Sequence, residues 1–457
     1  MSQSPVRSAS DIAAATPADR DRWVDTLRVG SLLVVMLGHW LMVVLTEDLQ
    51  ITNALVIVPA LQPLTWVLQV MPLFFLVGGV AHAHTLGSLD RRRPPGPGRY
   101  AVFFHRRAVR LLRPTLAFLV VWVALGVAAH LSGLTALTDE VGRLARDALV
   151  MVPQLLWFVG IYLGACAFAP LMRDLHRRWG LRVVVALVAM AVVVDVIRFN
   201  GGPELLGNLN FALVWLALHQ LGFAWHDGLL TTRRGWAMAA AGYGAMLVAV
   251  TVGPYPTSMV GLPGEQVSNM APPTAALLAQ GIGICGLAVV LRPVMRRVLS
   301  RSRVWATVVV ASPFAMTAFL WHLTALMAVL VTARAVGVVQ PTVASAAWWL
   351  TRPMLFAVLA LVTAALVAVF VRFDRGGQAP EVTPPDTRRW VDPVTALSAL
   401  VLFFGILIVS IVGVDVLGNR PVFFLVGDVT PAVGFAVLGA GLVLLQAPLV
   451  VRRPSRA

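Results

Sequence analysis

Residues 27–45 read LRVGSLLVVMLGHWLMVVL, a run whose ionisable side chains are Arg28 and His39 alone. A helix of that length, at about 1.5 Å per residue, comes close to the ~30 Å of hydrocarbon in a bilayer. It reads as a membrane span. Working outward, comparable apolar runs recur at 60–82, 111–130, 150–172, 181–197, 208–226, 234–252, 273–291, 305–332, 351–371, 394–416 and 425–448. The 457-residue chain is 58% hydrophobic and 12% charged, where a soluble domain carries about 25% charged residues. The expected fold is an all-α, polytopic transmembrane helical bundle of about 12 spans.

Charge supplies an orientation. All 36 basic residues are arginine. With a cytoplasmic N-terminus, 30 of them fall in segments assigned inside and six outside, namely Arg143, Arg146, Arg198, Arg334, Arg352 and Arg420. That alternation is the positive-inside pattern and favours an even number of spans, with both termini in the cytoplasm. The net charge of +15 is then a cytoplasmic face lying near anionic lipid headgroups, so membrane lipid is an expected partner and nucleic acid is not. All-arginine usage with abundant alanine suggests a GC-rich bacterial gene and the bacterial cytoplasmic (inner) membrane.

Residues 1–20, rich in Ser, Ala and Asp, read as a disordered cytoplasmic tail. The apolar run that follows is too long for a cleaved signal peptide. Residues 83–110 form a basic linker whose Pro and Gly keep its first half irregular, while Tyr100–Arg113 reads as an interfacial helix entering the third span. The loop 253–272, whose one charged residue is Glu265, is a polar excursion of the kind that covers an opening or simply connects two helices. A charged linker over 373–393 precedes two more spans and a short tail over 394–457, suggesting a ten-span core with a two-span appendage. Cys166 and Cys285 lie inside apolar runs and read as small hydrophobes.

Ionisable groups inside spans are costly and mark function. Arg28 and His39 are 11 positions apart, which at about 100° per residue is three turns plus some 20°, so both face one way. About 16 Å separates them along the axis. Arg28 sits where it can grip an anion near the cytoplasmic surface, or pair with Asp25; His39 sits deeper, where it can take a proton from a hydroxyl. In the second span, Pro72 frees a carbonyl and Gly78 with Gly79 allow close backbone approach, for a broken helix or for packing. Arg106, Arg110 and Arg113 form an i, i+4, i+7 stripe that Arg107 joins, suited to phosphates or to lipid headgroups. His322, His219, Gln154 with Trp157 and Phe158, Asp195 and Asp415 are further candidates, each also readable as a packing or interfacial group. His82 and His84 lack carboxylate or Cys neighbours in sequence, so no metal is expected.

These residues resemble the integral-membrane acyltransferase type 3 family, which includes bacterial sugar and polysaccharide O-acetyltransferases. The likeness rests on Asp25-Thr26-Leu27-Arg28 leading to His39, on Met71–Gly79, on Arg107 and Arg110 within Arg106–Pro114, on Gln154–Tyr162 and on Trp321-His322. It covers residues 21–372. Where the family usually has Ser-Gly after its Phe-Phe pair, this chain has Val77-Gly78-Gly79, so that position brings no hydroxyl. The resemblance implies acyl transfer from cytoplasmic acyl-CoA, acetyl-CoA above all, to a hydroxyl of a glycan or secondary metabolite. It implies His39, Arg28 and His322 as catalytic groups and Arg28, Arg106, Arg107, Arg110 and Arg113 as donor-binding groups. The alternative is a proton-coupled secondary transporter of an anionic or polar substrate, with His39 and His322 carrying protons.

Overall fold

The computed structural model describes residues 8–17, 20–46, 50–92, 96–338, 340–375 and 389–450. Among them eleven helical segments are long and apolar enough to cross a membrane, so the chain is a multi-pass, all-α membrane protein. Its only sheets among the described residues are two short hairpins, Val43–Leu45 with Ile51–Asn53 and Val422–Phe424 with Gly427–Val429. A further helix, Arg182–Phe199, covers the run expected at 181–197. It is 18 residues long, about 27 Å, but carries Arg182, Asp195 and Arg198 within that length.

The chain starts with α1 (Ala9–Ala14) and α2 (Arg22–Met42), followed by the short turns α3 (Ala54–Ile57) and α4 (Thr65–Leu68). Next come α5 (Met71–Arg92), α6 (Arg99–Leu131), α7 (Glu140–Gln154), α8 (Leu156–Trp179) and α9 (Arg182–Phe199). The middle holds α10 (Asn210–His226), α11 (Thr232–Val252), α12 (Ala275–Val298), α13 (Ser302–Ala311) and α14 (Ala315–Ala335). Last are α15 (Ala346–Arg375), α16 (Val391–Val412) and α17 (Pro431–Val450).

One end of the bundle is tied together by arginine. Arg292 on α12 pairs with Asp21 at 2.8 Å, Arg173 on α8 with Asp227 at 2.8 Å, and Arg177 with Asp90. The first residues of α2 and the last of α5, α8, α10 and α12 therefore meet at this arginine-rich end. α5 runs through the centre, buried along most of its length. It packs on α2, α8, α10 and α12. Gly79 on α5 meets Gly222 on α10: a Cβ on Gly222 would lie 2.7 Å from the Gly79 Cα. Only glycine at both positions lets the backbones come so close.

Several expected boundaries move. The tail expected to be disordered over 1–20 is partly ordered: residues 1–7, 18 and 19 lie outside the described residues, but α1 forms behind a capping box of Ser8 and Asp11. It docks on α13, where the Trp305 indole donates to Thr16 Oγ1 at 2.7 Å. The first part of the 83–110 linker is helical, because α5 continues to Arg92; Arg93, Pro94 and Pro95 lie outside the described residues. The run 305–332 is two helices, broken at Ser312-Pro313-Phe314, since proline removes a backbone donor and disfavours helix in the residue before it. Most of the linker expected at 373–393 lies outside the described residues.

The pair α16–α17 is no loose appendage. Asp392 at the start of α16 accepts from the backbone N–H groups of Gly98 and Ala101 at 2.9 and 3.0 Å, capping α6. Farther along α16, Phe403 fills the space left by Gly164 on α8, and Leu402, Ile406 and Val409 are fully buried.

The second span is interrupted just before Pro72. α4 ends at Leu68 and α5 begins at Met71, so Pro72 occupies the first turn of α5, where a missing N–H costs little. Two glutamines satisfy the groups freed by the break. The Gln280 side chain donates to the carbonyls of Trp66 and Gln69 at 3.0 and 3.1 Å. Gln69 accepts from Met71 N–H at 3.2 Å and donates to Met259 O at 3.1 Å. This is how irregular backbone survives at membrane depth. Met259 belongs to the loop 253–272, which is thereby fastened over the break, with Ser258 and Asn269 buried in it.

Candidate active site

Two of the contacts that join α2 to the α13–α14 segment are spaced alike on both. Near the arginine-rich end the Arg28 guanidinium donates to Ser312 Oγ and lies 3.4 Å from Asp25. Eleven residues further along α2, and ten beyond Ser312, His39 Nδ1 lies 2.8 Å from His322 Nε2. The rings stack with centroids 5.1 Å apart and planes 10° from parallel. The Trp40 indole adds a bond to the His322 carbonyl at 3.3 Å. The two segments thus run side by side in the same direction.

The hydrogen-bond chain dictates where the protons sit. His322 Nδ1 is 2.5 Å from the carbonyl oxygen of Phe319. A carbonyl accepts only, so Nδ1 carries the hydrogen and, in the neutral ring, Nε2 is the acceptor. His39 Nδ1–H then donates to His322 Nε2, and the lone pair of neutral His39 falls on Nε2. A base held in one tautomer by a partner on its other nitrogen is the arrangement needed for general-base work. His322 is fully buried, whereas His39 is half-buried.

The arginines divide. Arg107 on α6 donates from Nη2 to Ala81 O at 3.0 Å and to Thr85 Oγ1, fixing its guanidinium across a turn of α5. Arg110 is exposed, and its charge acts on Arg28. Arg28, Arg107 and Arg110 all act electrostatically on the Tyr162 phenol of α8. Arg107 and Arg110, one turn apart on α6, thus share Tyr162 with Arg28 as a group on which their charges act. Arg113 acts on His105 instead, and Arg106 is half-buried on a neighbouring face.

A second histidine pair lies between α5 and α10. His82 Nδ1 is 2.8 Å from His219 Nε2, and the Cys166 thiol is 3.4 Å from His82 Nε2. All three are fully buried. The Gly79–Gly222 crossing brings the two histidines within reach, and Cys166 is more than a small hydrophobe because its sulfur faces an imidazole. His84 diverges from His82 and packs against His226 with ring centroids 4.4 Å apart. Asp195 is an anchor: it accepts from Asn210 at 2.8 Å, from Tyr255 at 3.1 Å and from the Ala275 N–H at the start of α12 at 2.6 Å. Asp415 lies 3.9 Å from His130, and Gln154 is exposed at the end of α7.

Ser312, Phe319 and Tyr162 had drawn no separate attention in the sequence. Ser312 and Phe319 act through atoms with no sequence signature, a hydroxyl at a helix break and a backbone carbonyl. Tyr162 is one of only four tyrosines in the chain, and that rarity is the signal that singles it out.

A family model described as "Acyltransferase domain" matches residues 21–372. No curated protein and no solved structure matches the chain.

Proposed function

Because this chain belongs to that acyltransferase family, and is therefore a membrane acyltransferase, we propose that it moves an acyl group, in the first instance acetyl, from cytoplasmic acyl-CoA to a hydroxyl. The acceptor class we propose is a glycan or a secondary metabolite. The location we propose is a bacterial cytoplasmic membrane, with both termini and the arginine-rich end inside. The transport reading gives way to an enzyme because the family is one of acyl transfer. The observation that carries the proposal is the His39–His322 pair, with the lone pair of His39 on Nε2, standing three turns from Arg28 on the same helix.

In this reading Arg28, Arg107 and Arg110 hold the phosphates of the donor, a role suited to forked guanidinium donors. The membership proposed for Arg106 and Arg113 narrows accordingly to a supporting basic surface. His39 Nε2 takes the proton of the acceptor hydroxyl as its oxygen attacks the thioester carbonyl. The carbon–sulfur bond breaks, and the proton passes from His39 to the departing CoA thiolate. His322 holds the tautomer and accepts the Nδ1–H of the imidazolium that forms. No step needs a metal.

The test is release of free CoA by purified, detergent-solubilised protein supplied with acetyl-CoA and a panel of hydroxylated glycans. General-base catalysis contributes about 10²–10⁴-fold, so His39→Ala should lose activity on that scale at equal folded abundance. Full turnover in that variant would falsify the assignment.

A further inference from the structure

Tyr162 stands at an intermediate depth between the arginines and the histidine pair. α14 runs away from the arginine-rich end, so Phe319, three residues before His322, lies about 4.5 Å nearer that end. Phe158 on α8 packs edge-on to Phe319 with centroids 5.4 Å apart. α8 runs the opposite way, and Tyr162, four residues on from Phe158, is a further ~6 Å toward the arginine-rich end. It is thus about 10 Å from the level of His322, out of the ~16 Å that separate Arg28 and His39 along α2.

The ring is held on several sides. Phe74, Phe75, Phe158 and His82 all lie with ring centroids 5.3 to 6.0 Å from it. Gly78 leaves the slot into which it fits: a Cβ there would meet Tyr162 Cε2 at 2.8 Å and its hydroxyl oxygen at 3.1 Å. Val77 beside it brings no hydroxyl. The side chain is half-buried, and no described residue hydrogen-bonds the phenol oxygen. A rigidly caged phenol with an open hydroxyl, within the electrostatic reach of Arg28, Arg107 and Arg110, is built to meet a polar ligand.

We propose that the Tyr162 hydroxyl binds the acyl donor by hydrogen-bonding an amide of its pantetheine arm, between the phosphates held by the arginines and the thioester presented to His39. This rests on the acyl-CoA reading above. A donor stretched from the arginine-rich end to His39 passes the level of Tyr162 with its arm, whose amides offer both a carbonyl acceptor and an N–H donor. A phenol serves either.

The experiment compares Tyr162→Phe with wild type on acetyl-CoA, on acetyl-pantetheine, which lacks the nucleotide and its phosphates, and on an S-acetyl alkylthiol, which lacks the amides. The expected result is a KM raised about tenfold for the first two donors, the scale of a lost hydrogen bond to a ligand. The alkylthiol ester should be used equally by both proteins, and kcat should hold within about twofold. Gly78→Ala, which pushes the ring from its slot, should raise the same KM values. An unchanged KM in the phenylalanine variant overturns the proposal while leaving acyl transfer intact. So does a kcat loss that is the same for all three donors, which would place the phenol at the chemistry or in the packing. A wild-type protein that releases neither free CoA from acetyl-CoA nor free pantetheine from acetyl-pantetheine overturns the acyl-CoA reading, and this proposal with it.

Discussion

Gly79 and Gly222 touch backbone to backbone where α5 crosses α10, so that a Cβ on Gly79 would collide with the His219 carbonyl. The same crossing sets His82 against His219. Gly79→Ala should therefore lower stability by the ~1–3 kcal/mol of an overpacked core, and lower the melting temperature in detergent. Gly244→Ala, where a Cβ meets nothing within 4 Å, is the control and should melt as wild type does or slightly higher. Equal melting of the Gly79 variant and wild type would mean that the crossing is loose enough to admit a methyl group.

Much of this architecture could be read from the chain, because a span announces itself through length and hydropathy alone. The family and the first-span spacing of Arg28 and His39 followed from local patterns too. What stayed hidden depends on partners far away in sequence: His39 meets His322 across 283 positions, and His82 meets His219 across 137. Helical spacing groups Arg106, Arg110 and Arg113 as one stripe, but Arg107 turns to Ala81 and Thr85 of α5, a contact set by how the two helices pack. Pro72 signals a break, but its place at Gln69 and what satisfies it depend on distant partners in the same way. Proline in a first turn is harmless, and the glutamines that stabilise the break come from another helix and from the break itself.

The tautomer chain makes His322 and His39 unequal. In the mechanism we propose, replacing His39 removes the base. Replacing His322 with Phe keeps the base but removes the acceptor for its Nδ1–H, freeing the ring to turn or to carry its hydrogen on Nε2. His322→Phe should lower kcat by less than the ~10²–10⁴-fold expected of a missing base, with KM for the donor nearly unchanged. A His322 variant with a larger loss than His39→Ala, at equal abundance, would reverse the order of the two residues.

The split among the arginines gives a contrast inside one helix. Arg110→Gln should raise KM for acetyl-CoA, and the effect should shrink as salt screens the charges on the exposed side chain. Arg106→Gln should change that KM less than twofold, as a lipid-facing or supporting cation would. Steady-state kinetics at low and high ionic strength read both. Equal penalties for the two substitutions would restore the broad basic stripe as the binding surface.

Asp227 adds a dependence on pH at the arginine-rich end. Partial burial works to raise its carboxyl, but two hydrogen bonds from Arg173, at 2.8 and 3.0 Å, together with the charges of Arg173, His176 and His226, hold it below its ordinary value. A carboxyl depressed in the folded state contributes stability that is complete above its unfolded value, near 4, and is lost as pH falls through the folded value. Melting curves in detergent should show wild type losing its advantage over Asp227→Asn as the pH is taken from about 6 to about 3. A constant difference across that range would mean that the ion pair with Arg173 contributes nothing that titrates.

Asp392 makes the last prediction, because it couples a helix beyond residue 372 to one within the acyltransferase domain. Its carboxylate accepts from two backbone N–H groups at the start of α6, whose first turn carries Arg99 and no acidic residue of its own. A negative charge there offsets the positive end of the helix dipole and satisfies donors that have no partner in the helix. Asp392→Ala should cost about 0.5–2 kcal/mol, the range for loss of an N-cap, read as a lowered melting temperature. Since α6 also presents Arg107 and Arg110, the variant should raise KM for acetyl-CoA modestly, with kcat preserved. A loss of stability without any change in KM would show that α6 keeps its register through its packing on the neighbouring helices, and that the capping contact serves only to dock α16.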